Sequence, residues 1–365
     1  MQTHRFLPCL TFALLVATLS AAEPAPPTQL DHSQLMVYLD DAGRPQPVKT
    51  AADWAVRRRQ ILAGMQQAMG PLPKFERQTP LDPRETERVE DDGVVRIKLS
   101  FASADNTGDR VTAHLYLPAG LKPGERRAAM LALHPTGAQG KDIVAGLGRA
   151  NRGYGLELAQ RGYVVLAPDY PSFGELADYD FAADPYVSGT MKGIVNHMRG
   201  VDLLQSRAEV APERIGVIGH SLGGHNAMFV GVFDERLKVV VSSCGWTPFH
   251  DYYGGKLKGW TSDRYMPLIR DQYGLDPDRV PFDFYEVVAA LAPRAFFSAS
   301  PERDSNFEVA GVRRAEPKAR EVYELLGAGN RLVVRYPQCE HDFPPDVRRE
   351  AYEFIDKILE HSPSR

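Results

Sequence analysis

The chain has 365 residues, of which 43% are hydrophobic and 25% charged, and its formal net charge at pH 7 is −4. This length allows one large α/β domain with additions, and the hydrophobic content fits a buried sheet. The weakly negative charge gives no electrostatic reason to bind nucleic acid or an anionic membrane, so neither partner is expected.

The first 22 residues have the pattern of a secretory signal peptide. His4 and Arg5 form a short basic start, residues 6–19 are mainly apolar, and S-A-A at 20–22 supplies small residues for cleavage. The apolar run is too short for a standard membrane span; the alternative is a retained anchor. Cys9 lies far from the cleavage point, which argues against lipid attachment there. We therefore expect a secreted or periplasmic protein without stable membrane insertion.

Residues 23–89 are predicted to form a linker and an N-terminal helical extension. The proline-rich start indicates a disordered linker. Residues 53–69 predict an amphipathic helix, ended by G-P-L-P at 70–73.

The main domain is predicted at 90–361, and it opens with two antiparallel strands, 94–101 and 111–117. Strands and helices then alternate, which predicts a mostly parallel central sheet flanked by helices, with right-handed crossovers. The later strands are predicted at 130–134, 163–167, 214–218, 237–243, 295–299 and 332–336, and the helices near 154–160, 191–206, 316–326 and 346–359.

The motif G-H-S-L-G at 219–223, between a short β-branched strand and a helix, is the pattern of a nucleophile elbow. Its glycines let the backbone pack closely, and the helix N-terminus favours developing negative charge near Ser221. An oxyanion hole needs two backbone N–H donors. We expect one from Leu222 and the other from Thr136, the first residue after Pro135 with a backbone N–H, with Gly137 as the alternative donor.

Chain order in this architecture places the acid and then the base after the nucleophile. His341 follows the last predicted strand, where the base is expected. The other histidines beyond Ser221 fit less well: His225 is one turn further on the same helix, His250 precedes any plausible acid, and His361 is in the C-terminal tail.

The acid is expected on the loop after strand 295–299, which contains both Glu302 and Asp304. Either carboxylate could hold the imidazole tautomer. Asp304 is favoured because it lies deeper in the loop, beside Ser305 and Asn306. Glu302 remains the alternative.

Residues 246–285, hereafter the insertion, interrupt the alternation and carry ten aromatic residues in forty. Two interpretations are open. The aromatics form a small core of their own, or they form a cap whose aromatic faces line a pocket for sugar or aryl groups. Under the second interpretation, Trp246 and Trp260 are the candidate substrate-binding residues.

Cys244 and Cys339 are predicted at the same edge of the sheet. In an exported chain a disulfide could pin the His341 loop. The alternative is two free thiols, because the intervening strand should hold the cysteines apart. No C-x-x-C or H-E-x-x-H pattern supports a metal site, and none is expected.

Residues 90–360 resemble the α/β-hydrolase superfamily. The segments 134–137, 167–174 and 219–223 are similar to those of dienelactone-hydrolase-like and acetyl-xylan-esterase-like secreted hydrolases, and A-P-E-R-I at 211–215 resembles prolyl-oligopeptidase-type domains. Dienelactone hydrolases proper have a cysteine where this chain has Ser221, and glucuronoyl esterases have an arginine where it has Leu222. About sixty residues precede the core, which leaves no room for the propeller of prolyl oligopeptidases.

The motifs and the resemblance together imply a secreted serine carboxylester hydrolase. Ser221, His341 and Asp304 would act through an acyl-enzyme without a cofactor. The resemblance, the export signal and the aromatic insertion favour acetyl or methyl-uronate esters of polysaccharides. A prolyl-oligopeptidase-like serine peptidase is the alternative enzyme, and a non-catalytic binding protein is the third hypothesis.

Overall fold

The computed structural model describes residues 30–74, 79–104, 108–183 and 185–363. The signal peptide predicted at 1–22 lies outside these residues. The described chain begins with a small antiparallel hairpin of β1 (Val37–Leu39) and β2 (Pro45–Pro47), followed by helix α1 (Ala51–Met69). The side chains of Thr50 and Asp53 form a reciprocal capping box that starts this helix two residues before its predicted start.

A sheet of nine strands forms the centre of the molecule. Its strands are β3 (Arg84–Asp91), β4 (Val94–Ala102), β5 (Arg110–Pro118), β6 (Arg127–Leu133), β7 (Val164–Pro168), β8 (Val210–His220), β9 (Leu237–Ser243), β10 (Ala295–Ala299) and β11 (Leu332–Arg335). Their order is β11-β10-β9-β8-β6-β7-β5-β4-β3. β6 to β11 pair in parallel, whereas β3, β4 and β5 pair antiparallel, as does β5 with β7. The predicted mostly parallel sheet is confirmed.

Helices cover both faces of the sheet because the central strands are apolar on both sides. Residues of β6, β7 and β9 are almost all buried. The helices after α1 are α2 (Tyr154–Gln160), α3 (Gly189–Ser206), α4 (Leu222–Phe233), α5 (Leu268–Asp271), α6 (Phe284–Ala290), α7 (Val309–Leu325) and α8 (Pro345–Ile358). One apolar cluster contains buried residues of α1, α3, α4, α6 and α7, and a second contains residues of α2 and α8.

The edge strand β3 was not predicted. Its sequence, R-E-T-E-R-V-E-D, is charged and exposed along its whole length, so it lacks the alternating apolar pattern of a half-buried strand. It forms because its backbone pairs with β4, and charged side chains protect such an edge from pairing with other chains. The sheet therefore begins before residue 90, inside the segment assigned to the N-terminal extension.

The insertion contains two short 3₁₀ turns, Tyr252–Gly254 and Leu257–Trp260, before the short helix α5. Its largest aromatic side chains are buried. Phe229 of α4 packs against Phe282 and Phe284, with ring centroids 6.4 and 5.8 Å away. The insertion is therefore packed on the helix that follows the elbow.

None of the helices within the described ranges combines the length and the apolar character needed to cross a bilayer.

Candidate active site

The predicted nucleophile elbow lies between β8 and α4. Ser221 has φ 55° and ψ −116°, a strained conformation for a residue with a side chain. The turn requires glycine on both sides. A Cβ at Gly219 would lie 2.1 Å from the Gly223 carbonyl oxygen, and a Cβ at Gly223 would lie 2.0 Å from the Leu133 carbonyl oxygen. The Ser221 amide donates to the Ser243 carbonyl at 2.8 Å, which ties the elbow to β9.

His341 and Asp304 are hydrogen-bonded at the carboxyl edge of the sheet. His341 Nδ1 lies 3.0 Å from Asp304 Oδ1 and 2.9 Å from Oδ2. The Asp304 side chain is fully buried. Its Oδ1 also accepts the amides of Asn306 at 2.8 Å and Phe307 at 3.1 Å. This arrangement holds the carboxylate against Nδ1 and leaves Nε2 of His341 available to a nucleophile.

Glu302, the alternative acid, has a different partner. Its carboxylate forms an ion pair with Arg313 and is partly exposed. No contact joins it to His341. The two carboxylates of this loop therefore differ in surroundings, and Asp304 alone has the geometry of a triad acid.

The His341 loop is tied to a distant segment that sequence reasoning missed. Arg152 is buried, forms an ion pair with Asp342, and donates from Nη2 to the His341 carbonyl at 3.0 Å. Asn151 Nδ2 donates to the other Asp342 oxygen at 2.8 Å. Arg152 lies 189 residues from His341 in sequence, so no local signal could have indicated this contact.

Two buried groups near the triad are held neutral. The ring centroid of His220 lies 5.0 Å from that of His341. Burial, with Arg152 and His341 nearby, holds the pKa of His220 well below its usual range, and its Nδ1 lies 3.0 Å from Ser243 Oγ. Burial and the Asp304 carboxylate raise the pKa of the Cys244 thiol well above its usual range. Cys244 is therefore not a competing nucleophile.

Both cysteines within the described residues are free thiols. This agrees with the second of the two alternatives raised from the sequence, not with a disulfide. Donor atoms of Cys244, Asp304 and His341 lie within 4.8 Å of one another. They are the candidate acid and base plus a thiol that resists ionisation, and metal ligation requires the thiolate. The donor set fits proton transfer better than metal binding.

The loop after β6 faces the elbow and supplies the second candidate oxyanion donor. Thr136 and Gly137 line the same cavity as Ser221. The buried His134 fixes the loop: Nδ1 lies 2.7 Å from the Pro135 carbonyl, and Nε2 accepts the Tyr170 amide at 2.9 Å. Burial lowers the pKa of His134, so it bonds as the neutral imidazole.

A buried ion pair anchors the far end of this loop. Lys141 Nζ lies 2.6 Å from Asp169 Oδ2, and the Lys141 amide donates to Oδ1 at 2.8 Å. Asp169 immediately precedes Tyr170, whose amide binds His134. The candidate oxyanion loop is therefore fixed at both ends.

Leu222 is the first residue of α4. The first amides of a helix have no intrahelical acceptor and can bind an oxyanion.

The cavity beside Ser221, hereafter the catalytic cavity, has a volume of about 520 Å³. It is lined by Pro135, Thr136, Gly137, Gln139, Ile143, Gly148, Arg149, Arg152, His220, Ser221, Asn306 and His341. Ser221 and His341 thus face one space together with the candidate oxyanion loop.

Trp246 and Trp260 do not line the catalytic cavity. Both side chains are buried, at 1% and 3% exposure. Trp246 Nε1 donates to Ser298 Oγ of β10 at 2.9 Å. Trp260 packs against Phe249 and Phe284. This packing agrees with the small-core interpretation of the insertion and corrects the expectation that these tryptophans face a substrate.

The insertion contacts residues that adjoin Asp304 and His341. The Tyr253 hydroxyl donates to Asn306, which lines the catalytic cavity. The ring centroids of Trp260 and Phe307 are 6.2 Å apart. Phe307 in turn stacks on His341, with ring centroids 6.0 Å apart and an angle of 24° between the ring planes. The aromatics of the insertion therefore support the loop that carries the acid.

Comparison with known proteins agrees with this architecture. The sequence matches the Alpha/beta hydrolase family over residues 143–360. The chain therefore belongs to the alpha/beta hydrolase family.

Two sequence relatives and one solved structure illustrate the similarity. The chain is 29% identical over 214 residues to YtaP of Bacillus subtilis (strain 168), named as a hydrolase; the match covers 56% of this chain and 67% of YtaP. It is 24% identical to carbohydrate esterase MZ0003 from an unknown prokaryotic organism, over 38% of this chain and 33% of that protein. Its fold is similar to that of a glucuronoyl esterase from Solibacter usitatus, with a TM-score of 0.70, 19% identity, and 90% and 98% of the two chains covered.

Proposed function

We propose that this protein is a serine carboxylester hydrolase, acting on acetyl or methyl-uronate esters of polysaccharides outside the cytoplasm. The observation that carries the proposal is the buried Asp304 carboxylate on Nδ1 of His341, with His341 and Ser221 facing one cavity. The sugar-ester substrate is supported by the likeness to a named carbohydrate esterase and to the fold of a glucuronoyl esterase. The extracytoplasmic location rests on the predicted signal peptide.

The proposed reaction has two half-reactions. Ser221 Oγ attacks the ester carbonyl carbon while His341 Nε2 takes the hydroxyl proton. The carbonyl oxygen becomes an oxyanion, held by the amides of Leu222 and Thr136, with Gly137 as the alternative donor. The C–O bond to the alcohol then breaks, and the alcohol leaves with the proton from His341. Water, deprotonated by His341, attacks the acyl-enzyme, and His341 returns that proton to Ser221 Oγ as the acid is released.

Asp304 orients His341 throughout. Its carboxylate binds Nδ1–H, so the neutral imidazole presents its lone pair at Nε2, and it stabilises the imidazolium formed in each half-reaction. The buried, neutral His220 adds no second positive charge beside that imidazolium. The negative charge of the Asp304 carboxylate therefore compensates the positive charge of the His341 imidazolium.

The test is a substrate panel on the mature protein, with Ser221→Ala as the matched variant. We expect hydrolysis of p-nitrophenyl acetate and of methyl uronates or acetylated oligosaccharides, and negligible cleavage of dipeptidyl amides. Ser221→Ala should lose ester hydrolysis and acyl-enzyme formation while remaining folded, because a triad fails when any member is removed. Preferential cleavage of the amides would favour the peptidase alternative. Full activity of a folded Ser221→Ala protein would exclude the mechanism.

A further inference from the structure

The catalytic cavity is basic, although the chain as a whole carries a formal net charge of −4. Arg149 and Arg152 line it, and no aspartate or glutamate of the described residues does. Leu222, directly after the nucleophile, is buried and adds no charge. The positive charge therefore comes from the segment 146–152.

The two arginines differ in what they bind. Arg152 is buried and committed to Asp342 and to the His341 carbonyl. Arg149 is exposed, and within the described residues no carboxylate lies at salt-bridge distance from it. The carboxylate of Asp342 accepts hydrogen bonds from Arg152 and Asn151, so both of its oxygens already have partners. The guanidinium of Arg149 is thus the charge in the catalytic cavity that lacks a counter-ion.

The backbone that carries Arg149 is anchored on both sides. The amides of Gly146 and Leu147 donate to the carbonyls of Ile143 and Asp142, each at 3.1 Å. Gly146 and Gly148 have φ of 92° and 136°, values that favour glycine. At the other end, Asn151 is hydrogen-bonded to the His341 loop. Arg149 is therefore held at the cavity rim between two fixed points.

We propose that Arg149 is a substrate-binding residue that pairs with a free carboxylate next to the scissile ester. The preferred substrate would then be an ester on an acidic oligosaccharide, in which unesterified uronates neighbour the esterified residue. A guanidinium matches a carboxylate through two parallel hydrogen bonds and remains charged at any working pH. This inference rests on the proposed esterase function and adds the charge of the substrate to it.

The test uses two substrates with the same ester and different neighbours: partially and fully methyl-esterified oligogalacturonides of equal length. Should acetyl esters be the better substrates, acetylated oligogalacturonides and acetylated xylo-oligosaccharides form the corresponding pair. The measured quantity is the ratio of kcat/KM for the acidic substrate to that for the neutral one. We expect a wild-type ratio of up to about five, because an exposed ion pair contributes up to about 1 kcal/mol, which corresponds to about fivefold in affinity. The ratio should fall as ionic strength rises.

Arg149→Gln should bring the ratio to about one, mainly through KM for the acidic substrate, and Arg149→Lys should keep part of it because the charge remains. The matched control is Arg126→Gln, which removes the same charge from an exposed residue just before the amino end of β6, whereas the catalytic cavity lies at the carboxyl ends of the parallel strands. It should leave the ratio and the activity unchanged.

A wild-type ratio of one, or a ratio that Arg149→Gln does not change, would overturn the inference while leaving the esterase function intact. An equal loss on both substrates would also overturn it, since that pattern indicates a role in positioning. A wild-type protein that hydrolyses neither oligosaccharide nor p-nitrophenyl acetate would overturn the proposed function as well.

Discussion

Replacing Asp304 with asparagine reverses one hydrogen bond without changing the shape of the side chain. Oδ1 of Asp304 accepts the amides of Asn306 and Phe307. An asparagine must keep its oxygen at that position, because its NH₂ group cannot accept these two N–H donors. The NH₂ group then faces His341 Nδ1 and donates to it. His341 consequently carries its proton on Nε2, where it cannot take the proton of Ser221.

The expected effect on turnover is large. In serine proteases, the wrong tautomer of the triad histidine lowers kcat by about 10⁴-fold, which corresponds to about 5.4 kcal/mol in the activation barrier. The same order applies here because the Asp304 side chain is fully buried, so water cannot replace the lost acceptor. We expect kcat for p-nitrophenyl acetate to fall by about 10⁴-fold in Asp304→Asn.

The matched control is Glu302→Gln on the same loop. It removes an ion pair with Arg313 that lies outside the triad, so kcat should stay within a few-fold of wild type. Circular dichroism and thermal unfolding of both variants separate a catalytic loss from misfolding. A folded Asp304→Asn protein with near wild-type turnover would refute the reasoning, and a large loss in Glu302→Gln would assign the acid to Glu302.

Two further predictions concern stability. Trp260→Ala should lower the free energy of unfolding by about 3–5 kcal/mol, because the side chain is 3% exposed in the insertion's core. The variant should reduce kcat/KM by the same factor for p-nitrophenyl acetate and for a sugar ester, and the melting temperature should be measured in parallel. A loss confined to the sugar ester would restore the pocket-wall interpretation. The free energy of unfolding of Asp283→Asn should rise relative to that of wild type as pH increases from 5 to 8. Denaturant unfolding of both proteins at the two pH values measures this difference. Burial raises the pKa of Asp283 to about 7, above its unfolded value, so its contribution to stability is present at low pH and is lost as pH rises through about 7. The asparagine keeps the Oδ1 acceptor for the amides of Phe249 and Phe284. A stability difference independent of pH would contradict this assignment.

Most of the fold could be predicted from the sequence because its signals are local. Apolar runs of strand length alternate with helical patterns, and this alternation alone predicts the parallel sheet. The signal of the elbow at Ser221 is also local, because the motif and its flanking strand and helix lie in one continuous segment. The position of His341 in the same cavity as Ser221 was predictable from chain order, because the fold fixes which strand ends lie at one edge of the sheet.

The tertiary structure decided the features that depend on contacts between distant residues. Glu302 and Asp304 share one loop, and the structure distinguishes them because Asp304 bonds to His341, 37 residues further on, whereas Glu302 pairs with Arg313.

Two other outcomes have the same origin. The strand β3 carries no apolar pattern and exists because β4 offers its backbone for pairing. The tryptophans of the insertion carry no sign of which way they face, since an aromatic side chain fits a core as well as a pocket wall. A sequence pattern records the preference of a segment for a conformation, whereas the partner of a side chain is set by which segments the completed fold brings together.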